Sequence, residues 1–182
     1  MGLDYVYLNE GNNLEKLIET FSKIEDIDHP IVVHINTQKG KGYKIAALAS
    51  GIAKNGGKPI FATHSSFMQR TYDQLSQDLC INNNPATILV NTASVYGLND
   101  VTHLGLYDIP MISNIPNMVY LAPTSKEEYF AMLDWSIEQN EHPVAIRIPC
   151  NGVISEDRKV DTDYSNINKF KVEEKGEKVA II

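Results

Sequence analysis

Two cysteines in 182 residues, Cys80 and Cys150, exclude a disulfide framework, and neither stands in a CxxC or Cys/His spacing that would hold a metal. Two reduced, structural thiols are the expectation. Basic residues are also few: 16 Lys and Arg against 23 Asp and Glu leave a net charge of −7, with the acids spread along the chain. A nucleic-acid surface needs a basic face, so that class is excluded. No apolar run approaches the about 20 residues that a membrane helix requires, and the start MGLDYVYLNEGNN lacks the basic-then-apolar order of a secretory signal. The opening Met-Gly is no myristoylation signal, because Val6 stands where Ser or Thr is wanted. A cytoplasmic protein with no membrane and no nucleic-acid partner is expected.

What is present is a chain of ordinary domain size whose 43% hydrophobic content suffices for a real core. Apolar residues at Leu14, Leu17, Ile18, Phe21 and Ile24 carry a helical period over 14–24, and His29-Pro30 stops it before the β-branched run IVVHI at 31–35. NTQKGKGYK follows, basic and glycine-punctuated, but it lacks the GxxxxGK[ST] spacing of a phosphate loop. From Ile45 the pattern restarts with a small-residue helix, AALASGIAKNGG. Strands are expected at 58–64, 86–91, 119–122 and 144–148, with helices at 67–78 and 125–139 and a glycine-containing loop at 92–105. That alternation implies an α/β fold, a mainly parallel sheet with helices on both faces.

Residues 151–177 are polar with little periodicity and read as a linker, and the chain stops in KVAII, the first half of a buried strand. The expectation is a fragment: the last strand of one domain, a whole middle domain, and the first strand of a third.

The most informative stretch is GGKPIFATHSSFMQRTYDQ, residues 56–74. It joins a turn, a strand and a helix, and so gathers His64, Ser65, Ser66, Phe67 and Arg70 at a strand's carboxyl end. Open α/β sheets bind ligands there. A ring and a guanidinium three residues apart share one face of a helix's first turns and suit a flat, partly anionic molecule. Core packing of Phe67 and surface ion pairing of Arg70 remain the alternative for these two residues.

KPIFATHSSFMQRTYDQ resembles the 1-deoxy-D-xylulose-5-phosphate synthase family of the transketolase superfamily, whose pattern is a KPI strand, then SxFxxR and a YDQ run. GLDYVYLNEGNN and TQKGKGY are similar to that family's GLxYxGPxDGHN and TKKGKGY, and YGLNDVTHLGLYD, residues 96–108, to its VGxDGxTHxGxFD. The resemblance implies a transketolase pyrimidine-domain-like, thiamine-diphosphate-binding fold, divided into the end of a diphosphate-binding domain (1–44), a pyrimidine-binding domain (45–152), and a linker with the first strand of a carboxyl-terminal domain (153–182). It implies a homodimer that uses thiamine diphosphate and Mg2+, the metal site lying in a domain almost wholly absent from this chain. The reaction implied is condensation of pyruvate with glyceraldehyde 3-phosphate and loss of carbon dioxide.

The same match assigns residue roles. His103 falls on the family's active-site histidine, and an imidazole flanked by glycine at a strand's end can exchange a proton near neutral pH. Phe67 is matched to the ring that stacks on the aminopyrimidine, with Arg70 and Ser65 supporting the cofactor pocket. His64, Asn99 and Arg147 fall on substrate positions, Arg147 on the arginine that grips the aldehyde's phosphate with its fork of donors. A salt bridge at a domain or subunit boundary is the alternative for both arginines.

The chain departs from the pattern at Thr92, where a second phosphate-binding arginine usually stands, at Asn99 for aspartate, at His64 for tyrosine, at Cys150 for arginine and at Asn12 for histidine. The family's catalytic glutamate has no counterpart ahead of AALASGIA, since GKGYK runs directly into IAALAS. Two further readings follow: another transketolase-like enzyme such as a transketolase or a 2-oxoacid dehydrogenase β subunit, or a degenerate relative kept as a binding or assembly module.

Overall fold

The computed structural model describes residues 3–37, 43–94, 101–157, 159–166 and 176. A first unit is β1 (Asp4–Leu8), α1 (Leu14–Ser22) and β2 (Ile31–Ile35), the two strands pairing in parallel from Asp4↔Ile31 to Leu8↔Ile35. Asn13 starts α1, its Oδ1 accepting from Glu15 N at 3.1 Å and Lys16 N at 3.3 Å. The helix ends at Ser22, two residues before the sequence pattern does. Strand β1 was not among the expected elements, although DYVYL is a β-rich alternation.

The second unit is a four-stranded sheet of β3 (Ile60–His64), β4 (Thr87–Asn91), β5 (Val119–Leu121) and β6 (Val144–Arg147), ordered β3-β4-β6-β5 and parallel throughout. The helices are α2 (Tyr43–Lys54), α3 (Ser65–Met68), α4 (Asp108–Ser113) and α5 (Lys126–Glu138). Side chains alternate across the sheet, so Ile88, Val90 and Ala145 enter one core with Met68, Leu75, Leu79 and Ile112. Val144 and Ile146 enter the opposite core with Met132 and, partly buried, Leu89. Steps from β3 to β4 and from β4 to β5 run one way along the sheet, and their connecting helices supply the first core. The step back from β5 to β6 runs the other way, and α5 covers the second face. A constant right-handed crossover requires that division of helices between faces.

The helix expected at 67–78 is a composite. It begins at Ser65 as α3, tightens into a 3-10 turn at Gln69–Thr71 and widens into a π-helix at Gln74–Cys80. Thr71 explains the tightening, because its hydroxyl donates back to Met68 O at 2.7 Å and competes with the regular ladder. Ile81 N donating to Ser76 O at 3.0 Å closes the wide turn. Burial of Met68, Thr71, Leu75 and Leu79 keeps one face inward throughout.

The described part of 151–166 has no regular structure, yet it is pinned along α5. Lys126 N donates to Ile154 O at 2.8 Å, Glu156 N donates to Glu127 Oε2 at 3.0 Å, and Tyr164 sets its ring edge-on to Trp135 at 5.9 Å. Asn99, the basic turn at 38–42 and the terminal KVAII lie outside the described residues.

Candidate active site

The parallel register aligns the carboxyl ends of β3 and β4, pairing His64 with Asn91. His64 Nδ1 shares a proton with Thr92 Oγ1 at 2.8 Å, and the buried Ser65 donates its hydroxyl to Thr92 O at 3.4 Å. Thr92 takes a left-handed backbone, φ 54, unusual for a β-branched residue. Its hydroxyl also donates to Asn91 O at 2.7 Å, which helps hold the turn.

Phe67, half-buried on α3, stands between two imidazoles. Its ring meets His64 edge-on with centroids 5.4 Å apart and His103 edge-on, also at 5.4 Å. His103 closes a 3-10 turn, Val101–His103, and its Nδ1 lies 2.8 Å from Thr102 Oγ1. His64, Ser65, Phe67 and His103 therefore share one strand-end cluster. Arg70 is on the 3-10 turn, exposed, with no ion pair among the described residues.

A second polar group forms at the end of β6. Arg147 donates from Nε to Asp108 Oδ2 at 2.8 Å and from Nη2 to Gly105 O at 3.0 Å. Tyr120 adds its hydroxyl to the same Asp108 oxygen at 2.6 Å. The Asp108 side chain is wholly buried, and its other oxygen, Oδ1, has no hydrogen-bond partner among the described residues. Burial, reinforced by the carboxylate, pushes the Tyr120 phenol well above its ordinary range, so the hydroxyl stays a donor. The sequence reading singled out Arg147 but missed Asp108 and Tyr120. The available signal was an acid closing the glycine-containing loop, at the first position of α4.

Gly105 lets that loop reach the sheet. A Cβ there would lie 2.4 Å from Ser94 N and from Thr92 O, so only glycine fits. A cavity of about 270 Å³ lined by Trp135, Gln139, Asn140, Glu141, His142 and Ser165 lies at the opposite, amino-terminal end of β6. Among the described residues no His, Cys, Asp and Glu cluster could hold a metal ion, and no helix is long and apolar enough to cross a membrane.

Chemically, the first group offers an aromatic surface flanked by two imidazoles, and the second a guanidinium with N–H donors beyond those given to Asp108 and Gly105. A flat heteroaromatic ligand and an oxyanion are the matching partners.

Comparison with known proteins gives the family and the fold. The family described as transketolase, pyrimidine binding domain, matches residues 43–153. A 1-deoxy-D-xylulose-5-phosphate synthase of Clostridium botulinum strain Alaska E43 is 28% identical over 265 residues, covering 100% of this chain and 42% of its own length. The synthases of Clostridium acetobutylicum (26% identical, 100% of this chain and 42% of the relative) and Halothermothrix orenii (27% identical, 92% and 39%) are similar. This chain thus spans about two fifths of the relatives it matches. The 265-residue alignment to the first of them is also longer than the 182 residues of this chain, so that relative carries about 80 residues within the aligned span that have no counterpart here.

Among solved structures, one described as a split gene transketolase, inactive beta4 tetramer, superimposes with a TM-score of 0.61 at 19% identity, covering 86% of this chain and 48% of that one. The fold is the α/β, thiamine-diphosphate-binding type of the transketolases.

Proposed function

Because the chain belongs to the transketolase pyrimidine-binding domain family, we propose that it forms the pyrimidine-binding part of a cytoplasmic, thiamine-diphosphate-dependent 1-deoxy-D-xylulose-5-phosphate synthase. The substrates in this reading are pyruvate and glyceraldehyde 3-phosphate. The observation that carries it is the approach of Phe67 and His103, rings 5.4 Å apart, at the carboxyl ends of the parallel strands.

The described residues fit one half of the cofactor. A half-buried phenyl ring gives the aminopyrimidine a stacking surface, and the buried Ser65, bonded to Thr92 O, helps fix the turn that presents the ring. Arg70 is exposed and available to that pocket's rim. The diphosphate and its Mg2+ would be held elsewhere, in a homodimer of the longer protein. When bound, the cofactor supplies the electron sink for decarboxylation. The protein's own work is then positional and protonic. His103, its Nδ1 2.8 Å from Thr102 Oγ1, is the proton-exchanging group in this reading. His64 and Arg147 serve the substrate in this reading, as does Asn99 by its motif position alone, with Arg147 directing its remaining donors at the aldehyde's phosphate.

Calorimetric titration of the full-length dimer with thiamine diphosphate tests this reading, with saturable binding expected and its loss in Phe67→Ala. Thr92 stands where the family usually carries a second phosphate-binding arginine, and its hydroxyl is already bonded to His64. Glyceraldehyde 3-phosphate is therefore expected to bind more weakly than in a typical member, and ordinary saturation by that aldehyde would refute the expectation. This chain alone, lacking the glutamate ahead of AALASGIA, is expected to turn nothing over. Acetaldehyde, carbon dioxide or sugar product from the isolated chain would overturn that.

A second reading, a non-catalytic binding or assembly module, is favoured by the same Thr92 and by the missing residues within the aligned span. No thiamine diphosphate binding by the full-length dimer would select it.

A further inference from the structure

We propose that Asp108 is the positioning residue for Arg147, fixing the guanidinium as a directional oxyanion clamp, with Tyr120 as the brace that holds the carboxylate. The proposal deepens the reading above, on which Arg147 faces the acceptor's phosphate. Arginine is long and rich in rotamers, so a guanidinium at a sheet's rim has no fixed aim unless something holds its stem. Here two contacts do. Asp108 Oδ2 takes Nε at 2.8 Å and Gly105 O takes Nη2 at 3.0 Å, which fixes the plane of the fork and leaves its remaining N–H donors for a ligand.

The carboxylate is itself immobile. It opens α4, its side chain is wholly buried, and the Tyr120 hydroxyl on β5 bonds the same oxygen at 2.6 Å. Two elements (β5 and α4) and the 104–107 loop thus converge on one guanidinium that β6 presents. The pair's formal charges cancel, so Arg147 would recognise its ligand by hydrogen-bond direction more than by net charge. A tetrahedral phosphate or a planar carboxylate meets that requirement, whereas a chloride ion does not.

Oδ1 gives the proposal a discriminating test. Because that oxygen has no partner among the described residues, Asp108→Asn can put its amide nitrogen there while its carbonyl oxygen keeps both the Arg147 and Tyr120 bonds. Geometry survives and charge is removed. Asp108→Ala removes both. The readout is the Arg147 Nε–H resonance of the full-length protein, labelled with 15N on arginine and assigned by its loss in Arg147→Lys. In wild type and Asp108→Asn it is expected to be resolved and slow to exchange, and to shift on titration with inorganic phosphate. In Asp108→Ala it collapses into the free-arginine envelope, and phosphate affinity falls about tenfold or more. Tyr120→Phe is expected to give an intermediate exchange rate.

An unchanged Arg147 resonance in Asp108→Ala would overturn the proposal, as would a wild-type resonance that ignores phosphate. Loss of the signal in Asp108→Asn equal to that in Asp108→Ala would show that charge rather than position is what Asp108 supplies, and that also overturns it. Thiamine diphosphate binding by the same wild-type sample separates the two levels: its failure with a phosphate-responsive Arg147 removes the synthase reading and leaves the clamp standing.

Discussion

Gly105 shows how one missing side chain sets the distance between a loop and a sheet. Its N donates to Ser94 O at 2.9 Å and its O accepts from Arg147, so both backbone groups are used to seal the loop on the ends of β4 and β6. A Cβ at this position would meet backbone only: Ser94 N and Thr92 O at 2.4 Å and Ala93 Cα at 2.6 Å. Backbone pinned by strand hydrogen bonds cannot move aside as a flexible side chain would. Gly105→Ala is therefore expected to cost about 2 kcal/mol, the scale of overpacking in a filled core, and to detach Gly105 O from Arg147. A urea midpoint within error of wild type would show that the loop shifts freely.

At the scale of elements, α5 depends on its first turn. Ser125, fully buried, accepts from Glu128 N at 3.2 Å, and Glu128 reaches back to Thr124 N at 2.7 Å and Thr124 Oγ1 at 2.9 Å. This reciprocal cap satisfies donors that the helix itself cannot pair. Ser125→Ala is expected to cost about 1 kcal/mol, seen as a lowered denaturation midpoint with little loss of helical circular dichroism at 25 °C. An unchanged midpoint would mean that water replaces the cap. The same element was legible in the sequence almost to the residue, because Ser125 and Glu128 announce the start and Met132, Leu133 and Ser136 keep the helical period. Strands β4 and β6 were legible too, as short apolar runs in the buried middle of a parallel sheet, and the edge strand β3 through its place in the motif. Legibility failed where tertiary contacts decide. Nothing in FMQRTYDQ foretells the 3-10 and π segments, which follow from the Thr71 hydroxyl and from burial of Leu75 and Leu79. Helix α4 is short, carries a proline and lacks a side-chain cap, so it left no periodic trace. At the site, the motif match singled out Phe67 and His103, and the fold brings their rings to 5.4 Å. Asp108 escaped notice because its importance lies in burial, which spacing does not encode.

The whole molecule carries its titration risk in the core. Cys80 has no exposed surface and sits among Leu75, Leu79 and Ile88 on one face of the sheet. Burial pushes its thiol from an ordinary value of 9.0 up to about 12, because a thiolate cannot be solvated there. The Tyr120 phenol is raised for the same first reason. Both groups keep their protons longer in the folded state than in the unfolded chain. Below pH about 9 neither state has lost the thiol proton, and the full stability is present. Between about 9 and 12 the unfolded chain ionises first, the folded state binds more protons, and stability falls as pH rises. One such group gives a slope of at most about 1.4 kcal/mol per pH unit. Urea midpoints are therefore expected to hold level from pH 7 to 8.5 and to drop at pH 10, with Cys80→Ala flattening part of that drop and Tyr120 accounting for part of the rest. Thiol labelling supplies the independent check: Cys150, partly exposed, should react with an aromatic disulfide in the folded protein, and Cys80 only after unfolding. A Cys80→Ala variant with the wild-type alkaline slope, or rapid labelling of Cys80 at neutral pH, would show that this face of the core admits water and that the packing between α2, the π-helix and the sheet is looser than its geometry indicates.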